Sequence, residues 1–498
     1  MTTPPVAVPA PSKPMLDSLF GELWPDRTTP APRLVAAAAG VGVLAAVVVP
    51  YRSHGLALFL ALAALLGVVA AADRQLRSAS HLAALGLCVL LTATLLVRDA
   101  GWIVALCLLA ASAVGAAVLA GGRSLPGLLA SAAAVPLAGL RGLPWLGRSL
   151  HPTSLRGKPA DAWWSLLRTA AVSLVLVVVF GALFASADAL FASWIGALVP
   201  DFGSEELFVR AFVLAAFTGL TLAGVYVALS RPRVERLALP VGRPVNRPFE
   251  WAVPVGLVVG VFAVFVVAQL TVMFGGHAYL RRTTGLTYAE YVHQGFGQLT
   301  VATALTLAVV AIARRKASVA TPRDRIVLRA MLGAVCALTL VVVASALYRM
   351  HVYEEAYGFT RLRVLVSLFE AWLGLVLVLV MAAGVRLRGA WVPLTSLVTG
   401  ALMLLGLAAV NPDAYIAEHN IERFEETGKI DWYYLSGLSA DAVPVLADLP
   451  EKYRGCVLQD MPPAYEDDWL GWNLGRERAD AALDGVALGS YAECRARP

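Results

Sequence analysis

Two polar segments interrupt an otherwise apolar chain and hold most of the residue types that acid–base, metal or anion chemistry requires. The first, GLTYAEYVHQGFGQL at 285–299, places Glu290 and His293 on one face of a short helix that Thr287 and Glu290 start as a capping box. A Glu-x-x-His pair is half of a carboxylate-bridged metal site, so these two are weak metal candidates that need further carboxylates. The second, YRMHVYEEAYGFTRLR at 348–363, is denser. Arg349, Tyr353 and Tyr357 recur every four residues along one helical face, while His351 and Glu354, weak metal candidates too, stand three apart on another, next to Glu355. Gly358 is expected to end this helix and Thr360 to cap the next.

Polar residues within apolar stretches point to the same end of the helices. Glu370 lies two turns into one stretch, and Gln269 and Arg210 lie near the ends of two others. An ionised carboxylate in hydrocarbon costs about 2.5–3.5 kcal/mol on insertion scales, so Glu370 is expected to be protonated or paired with Arg349, Arg361 or Arg210. Glu290, His293, Arg349, His351, Tyr353, Glu354, Glu355, Arg361 and Glu370 thus outline a candidate substrate or ion pocket. The competing reading of the same residues is an ion-pair network that locks helix ends, and simple solvation explains each histidine.

The elements that must position these residues are membrane helices. Of the 498 residues, 59% are hydrophobic and only 15% charged, against roughly 25% charged in a soluble domain. Apolar runs near the ~20 residues that a spanning helix needs fall at 34–50, 55–72, 80–97, 101–120, 164–185, 206–229, 250–274, 297–313, 326–348, 364–384 and 391–410. The fold class is all-α, a polytopic integral membrane protein of about eleven transmembrane helices. Segment 125–146, apolar but holding Pro126, Pro136, Pro144 and Arg141, is expected to be re-entrant or interfacial.

The net charge of +6 does not indicate nucleic acid, because the basic residues sit in short clusters between apolar runs. Arg231 to Arg247, Arg314 to Arg325, and Arg386 with Arg388 mark alternate connections as cytoplasmic, and the intervening ones are more acidic. A cytoplasmic N-terminus and an extracytoplasmic C-terminus in a bacterial plasma membrane follow. Residues 1–33, Pro-rich and without an apolar signal core, read as a disordered cytoplasmic tail, 34–410 as the transmembrane domain, and 411–498 as a small extracytoplasmic helical domain. In the last, Gly428 should end a helix begun near Asp413, Ser439 should cap a second, and a third should follow Trp469. Trp432, Tyr433, Tyr434, Trp469 and Trp472 suit either a small core or the lipid headgroups. Cys456 and Cys494 are the disulfide candidates, free to pair in an oxidising compartment.

The segments 285–299 and 348–363, with NPDAYIAEHNIERFEETGKIDWYYLSGLSADAVPVL at 411–446, resemble the bacterial membrane family catalogued as domain of unknown function 4173, related to 4153. The resemblance spans roughly 160–446 and implies a multi-pass membrane protein without implying an activity. The Ala/Val-rich, Arg-rich composition looks like that of a high-GC actinobacterial protein.

Three functions remain open. Transport or handling of a small or lipidic substrate through an outward-facing polar pocket would use Glu370 as a proton-linked carboxylate and the arginines as anion contacts. An envelope enzyme acting on a lipid-linked substrate would find little in its first outer loop, which is only YRSHG. A sensor or assembly partner would bind a protein through the outer domain. No cofactor is expected, since Walker-type loops, His-Glu-x-x-His helices and nucleophile elbows are all missing from the sequence, and membrane lipids are the expected partners.

Overall fold

The structure, a computed structural model, describes residues 28–150, 204–238, 247–284, 296–458 and 468–486, with isolated positions among 20–25 and 173–194 and at 245. Every regular element among them is helical. In chain order these are α1 (Pro32–Val48), α2 (Leu56–Ala72), α3 (Ala79–Val97), α4 (Gly101–Ala120), α5 (Leu125–Arg141), α6 (Leu143–Leu150), α7 (Ser204–Leu229), α8 (Phe249–Thr284), α9 (Phe296–Lys316), α10 (Pro322–Tyr357), α11 (Arg361–Arg386) and α12 (Val392–Val410). Shorter helices follow: α13 (Pro412–Thr427), α14 (Trp432–Ser436), α15 (Val443–Ala447), α16 (Glu451–Leu458) and α17 (Leu474–Leu483).

Among the described residues, eight helices (α3, α4 and α7 to α12) are long and apolar enough to cross a membrane. They coincide with eight of the eleven expected spans. The expected spans 34–50 and 55–72 are the shorter apolar helices α1 and α2, and 164–185 lies outside the described residues apart from isolated helical positions. Segment 125–146 falls on α5 and α6, which are long and apolar enough to cross a membrane only together and are bent at their junction, as either a broken span or the expected re-entrant segment would be. Pro136 sits inside α5 without ending it, Pro126 and Pro144 occupy first turns where a missing N–H costs nothing, and the chain instead bends by 46° at Gly142.

The chain divides into two compact units, with α2 and α5 each contributing residues to both. In the first, α1 packs along α7 with the backbones close: a Cβ on Gly42 would collide with Thr218 Oγ1 and meet the Leu214 carbonyl at 2.7 Å. Trp24, Trp145 and Tyr226 form an aromatic cluster, and the Trp24 indole donates to the Ser230 carbonyl. Trp24 itself is therefore packed, although it falls within the tail expected over 1–33, most of which lies outside the described residues. Arg141, fully buried, donates to the Trp24 carbonyl and lies over the Phe20 ring.

In the second unit, α8 to α11 pack side by side around a core that includes Trp251, Val310, Leu328, Val335, Cys336, Val343 and Leu377. Helices α13 to α17 share a core of their own, with Phe359, Ile416, Leu435, Val443, Leu446 and Val457 at its centre. Trp432 and Tyr434 pack against that core, the first of the two roles expected of the aromatic residues, while Tyr433, Trp469 and Trp472 are exposed.

Candidate functional site

The helix ends develop as their punctuation dictates. Gly358, at φ +84°, closes α10, and Thr360 Oγ1 accepts from the Arg363 amide to open α11. Gly428, at φ +69°, closes α13. Ser439, by contrast, makes no side-chain cap. Its hydroxyl donates to Asp441, and its amide donates to Asp413.

The residues expected to form one pocket divide into separate groups. Glu290 and His293 lie outside the described residues, as does Cys494, and nothing of the Cys456 side chain is described. His351 pairs at 3.2 Å with Glu355, one turn on, rather than with Glu354, and both partners are exposed. Tyr353 rests against Tyr357 and under the Arg363 guanidinium, 4.5 Å from its ring centre. Glu354 is buried. Among the described residues no group of three His, Cys, Asp or Glu side chains could hold a metal ion.

Glu370 has no exposed surface and accepts from Thr300 Oγ1 at 3.0 Å and from Thr303 Oγ1 at 3.4 Å. Among the described residues none of the three arginines named as possible partners bonds to it: Arg349 donates to Gln269, Arg361 to Asp413, and Arg210 to Glu206 and the Ala46 carbonyl. The reason is local. Thr300, Thr303 and Thr306 recur every three residues along α9, so their hydroxyls form a stripe facing the neighbouring helices. Thr306 sends its own proton to the Ala302 carbonyl one turn back, and Thr303 Oγ1 has the Leu299 carbonyl, at 3.0 Å, as well as Glu370 within reach of its single proton. Thr306 also accepts from Thr339 of α10, and Ser345 of α10 donates to Gln269 of α8. A run of hydroxyl, amide, carboxyl and guanidinium groups thus lies between α8, α9, α10 and α11.

A second polar centre escaped the sequence reading. Asp413, wholly buried at the start of α13, accepts a forked pair of hydrogen bonds from Arg361, the first at 2.9 Å, and further bonds from the Trp102 indole at 3.0 Å and the Ser439 amide at 2.9 Å. Burial works to raise its carboxyl, but the hydrogen bonds and charge of Arg361 outweigh this and hold it below the ordinary aspartate range. Asp441 Oδ2 accepts from the amides of Asp99 and Ala100 at the start of α4, both at 2.8 Å. Burial pushes the Asp441 carboxyl up, against those amides and the charge of Arg98. Asn473 donates to the carbonyls of Leu95 and Arg98, Arg98 to those of Ala408 and Ala409, and Arg476 forms an ion pair with Asp99 at 2.7 Å. The short helices α13 to α17 are thereby fastened to the α3–α4 turn by groups that cap helix ends. The available signal was Arg98-Asp99, two adjacent charges between two uncharged apolar runs.

Long apolar helices in such number define a multi-pass α-helical membrane protein. A family model described as Domain of unknown function (DUF4153) matches residues 85–449, and the chain belongs to that family. The designation matched is the related 4153 rather than 4173, and it reaches further toward the N-terminus than the resemblance from residue 160. No curated protein and no solved structure matches the chain.

Proposed function

We propose that this protein moves a small polar or amphipathic substrate across the bacterial plasma membrane, with Glu370 as its proton-linked carboxylate. The observation that carries the reading is the run of polar groups between α10 and its neighbours, from Arg349, Ser345 and Gln269 to Thr339 and Thr306, beyond which α10 has no charged or hydroxyl side chain before Arg329. Arg349 and Thr339 stand ten residues apart, about 15 Å at 1.5 Å per residue and half of the hydrocarbon thickness. Glu370 joins this line through two hydroxyls and no cation, which suits a group that gains and loses a proton. A carboxylate kept only for stability would more simply be replaced by an apolar side chain.

The arginine clusters support an orientation in which α13 to α17 and Arg349 lie outside, and Arg314 and Arg329 lie on the cytoplasmic side. The test uses proteoliposomes enclosing a pH-sensitive dye and exposed in turn to a panel of organic anions and short-chain lipids. Wild type should show a substrate-dependent internal pH change, slowed by at least about tenfold in Glu370→Gln. Equal responses in the two proteins would remove Glu370 from the mechanism, and the lack of any response in wild type would remove proton coupling.

A further inference from the structure

At the end of α9 to α12 remote from Arg349, the helices leave a half-open cavity of about 530 Å³. Its wall is almost wholly apolar, with Leu332, Val380, Met381 and Val385 among the lining residues, and the lining includes no Asp or Glu. Two cations, Arg314 and Arg329, are the only charged groups in it. Arg314 donates through Nη2 to the carbonyl of Leu387, which leaves other donors of its guanidinium for a ligand. Arg329 is exposed and has no hydrogen-bond or ion-pair partner among the described residues.

From this arrangement we infer that the cavity binds one anionic phospholipid, its acyl chain against the apolar wall and its phosphate between Arg314 and Arg329. A free phosphate would leave the wall wet, and a choline headgroup would bring a cation up to two guanidiniums. An anionic amphiphile satisfies both halves of the cavity, as basic pockets between membrane helices do for acidic headgroups. The site is separate from Glu370 and stands or falls without it.

The test is native mass spectrometry of the delipidated full-length protein, offered phosphatidylglycerol or phosphatidylcholine with identical acyl chains, each with and without excess inorganic phosphate. Wild type should retain one phosphatidylglycerol with a preference over phosphatidylcholine of about tenfold or more, unaffected by phosphate. Arg314→Gln with Arg329→Gln should abolish the preference. Gly384→Leu fills the cavity without touching a charge, because a Cβ there meets open space, and it should weaken retention of both lipids. Glu370→Gln should keep the full preference, which distinguishes failure of this site from failure of the transport reading. Equal retention of the two lipids by wild type, displacement by phosphate, or a preference that survives in the folded double arginine variant would each overturn the assignment.

Discussion

Glu370 and Asp413 are carboxylates with no exposed surface, and their neighbours treat them in opposite ways. Asp413 receives a guanidinium, an indole N–H and a backbone amide, a donor set that stabilises the anion. Glu370 receives two hydroxyls, which can donate to the anion or accept from the acid. Removing one member of a buried pair leaves the other charge uncompensated, so Asp413→Asn should lower stability by about 3 kcal/mol, read as a loss of thermal stability in nanodiscs. The pH dependence has a definite sign. Because the Asp413 value is depressed, its contribution is fully present above ~3.9, the unfolded value, and is lost as pH falls through the native one. Asp441, whose value is raised, acts the other way and weakens the junction as pH rises through that value. Hydrogen exchange in α13, taken relative to the intrinsic rate at each pH, should therefore quicken as pH falls below about 4 in wild type. In Asp413→Asn it should already be fast at neutral pH.

At the scale of elements, α10 is 36 residues long, about 54 Å, nearly twice the hydrocarbon thickness. It must project beyond the bilayer, which is why its last turns carry His351, Glu354 and Glu355 rather than more valine and leucine. Its end at Gly358 is sharp for two reasons: φ is +84°, and a Cβ there would collide with Asn420 Oδ1. Asn420 cannot yield cheaply, since it accepts from the Phe359 amide and donates to the carbonyls of Phe359 and Ile416. Gly358→Ala should cost about 2–3 kcal/mol through backbone strain and the lost Asn420 bonds, measured by denaturant unfolding of the purified protein. Gly358→Asn should be no better, because φ +84° with ψ 166° lies outside the left-handed well that Asn tolerates and in a region almost confined to glycine. Recovery of full stability in Gly358→Asn would mean that neither backbone conformation nor the contact with Asn420 sets the requirement.

At the scale of the whole molecule, the arginine distribution makes a topological prediction that labelling can check. In a protein with Cys456 and Cys494 replaced by serine, Thr427→Cys should react with a membrane-impermeant maleimide on intact cells. Ala320→Cys, in a basic connection, should react only after lysis. The remaining cysteines, Cys88, Cys107 and Cys336, are buried and should stay silent. The reverse pattern would place α13 to α17 in the cytoplasm and invert the direction of the proposed transport.

The amino-acid sequence by itself determined the membrane class, eight of the spanning helices and the ends of α10, α11 and α13, because hydropathy, positive-φ glycines and threonine caps act within a few residues of chain. It also identified Arg349, Arg361 and Glu370 as residues needing partners. Which partners they have was decided only by the tertiary structure. Arg361 meets Asp413 across 52 residues, Glu370 meets Thr300 across 70, and Asn473 caps a helix 378 residues away. Neither spacing nor composition encodes such pairings, since they arise when whole helices pack and each buried donor must find whichever acceptor that packing brings within reach.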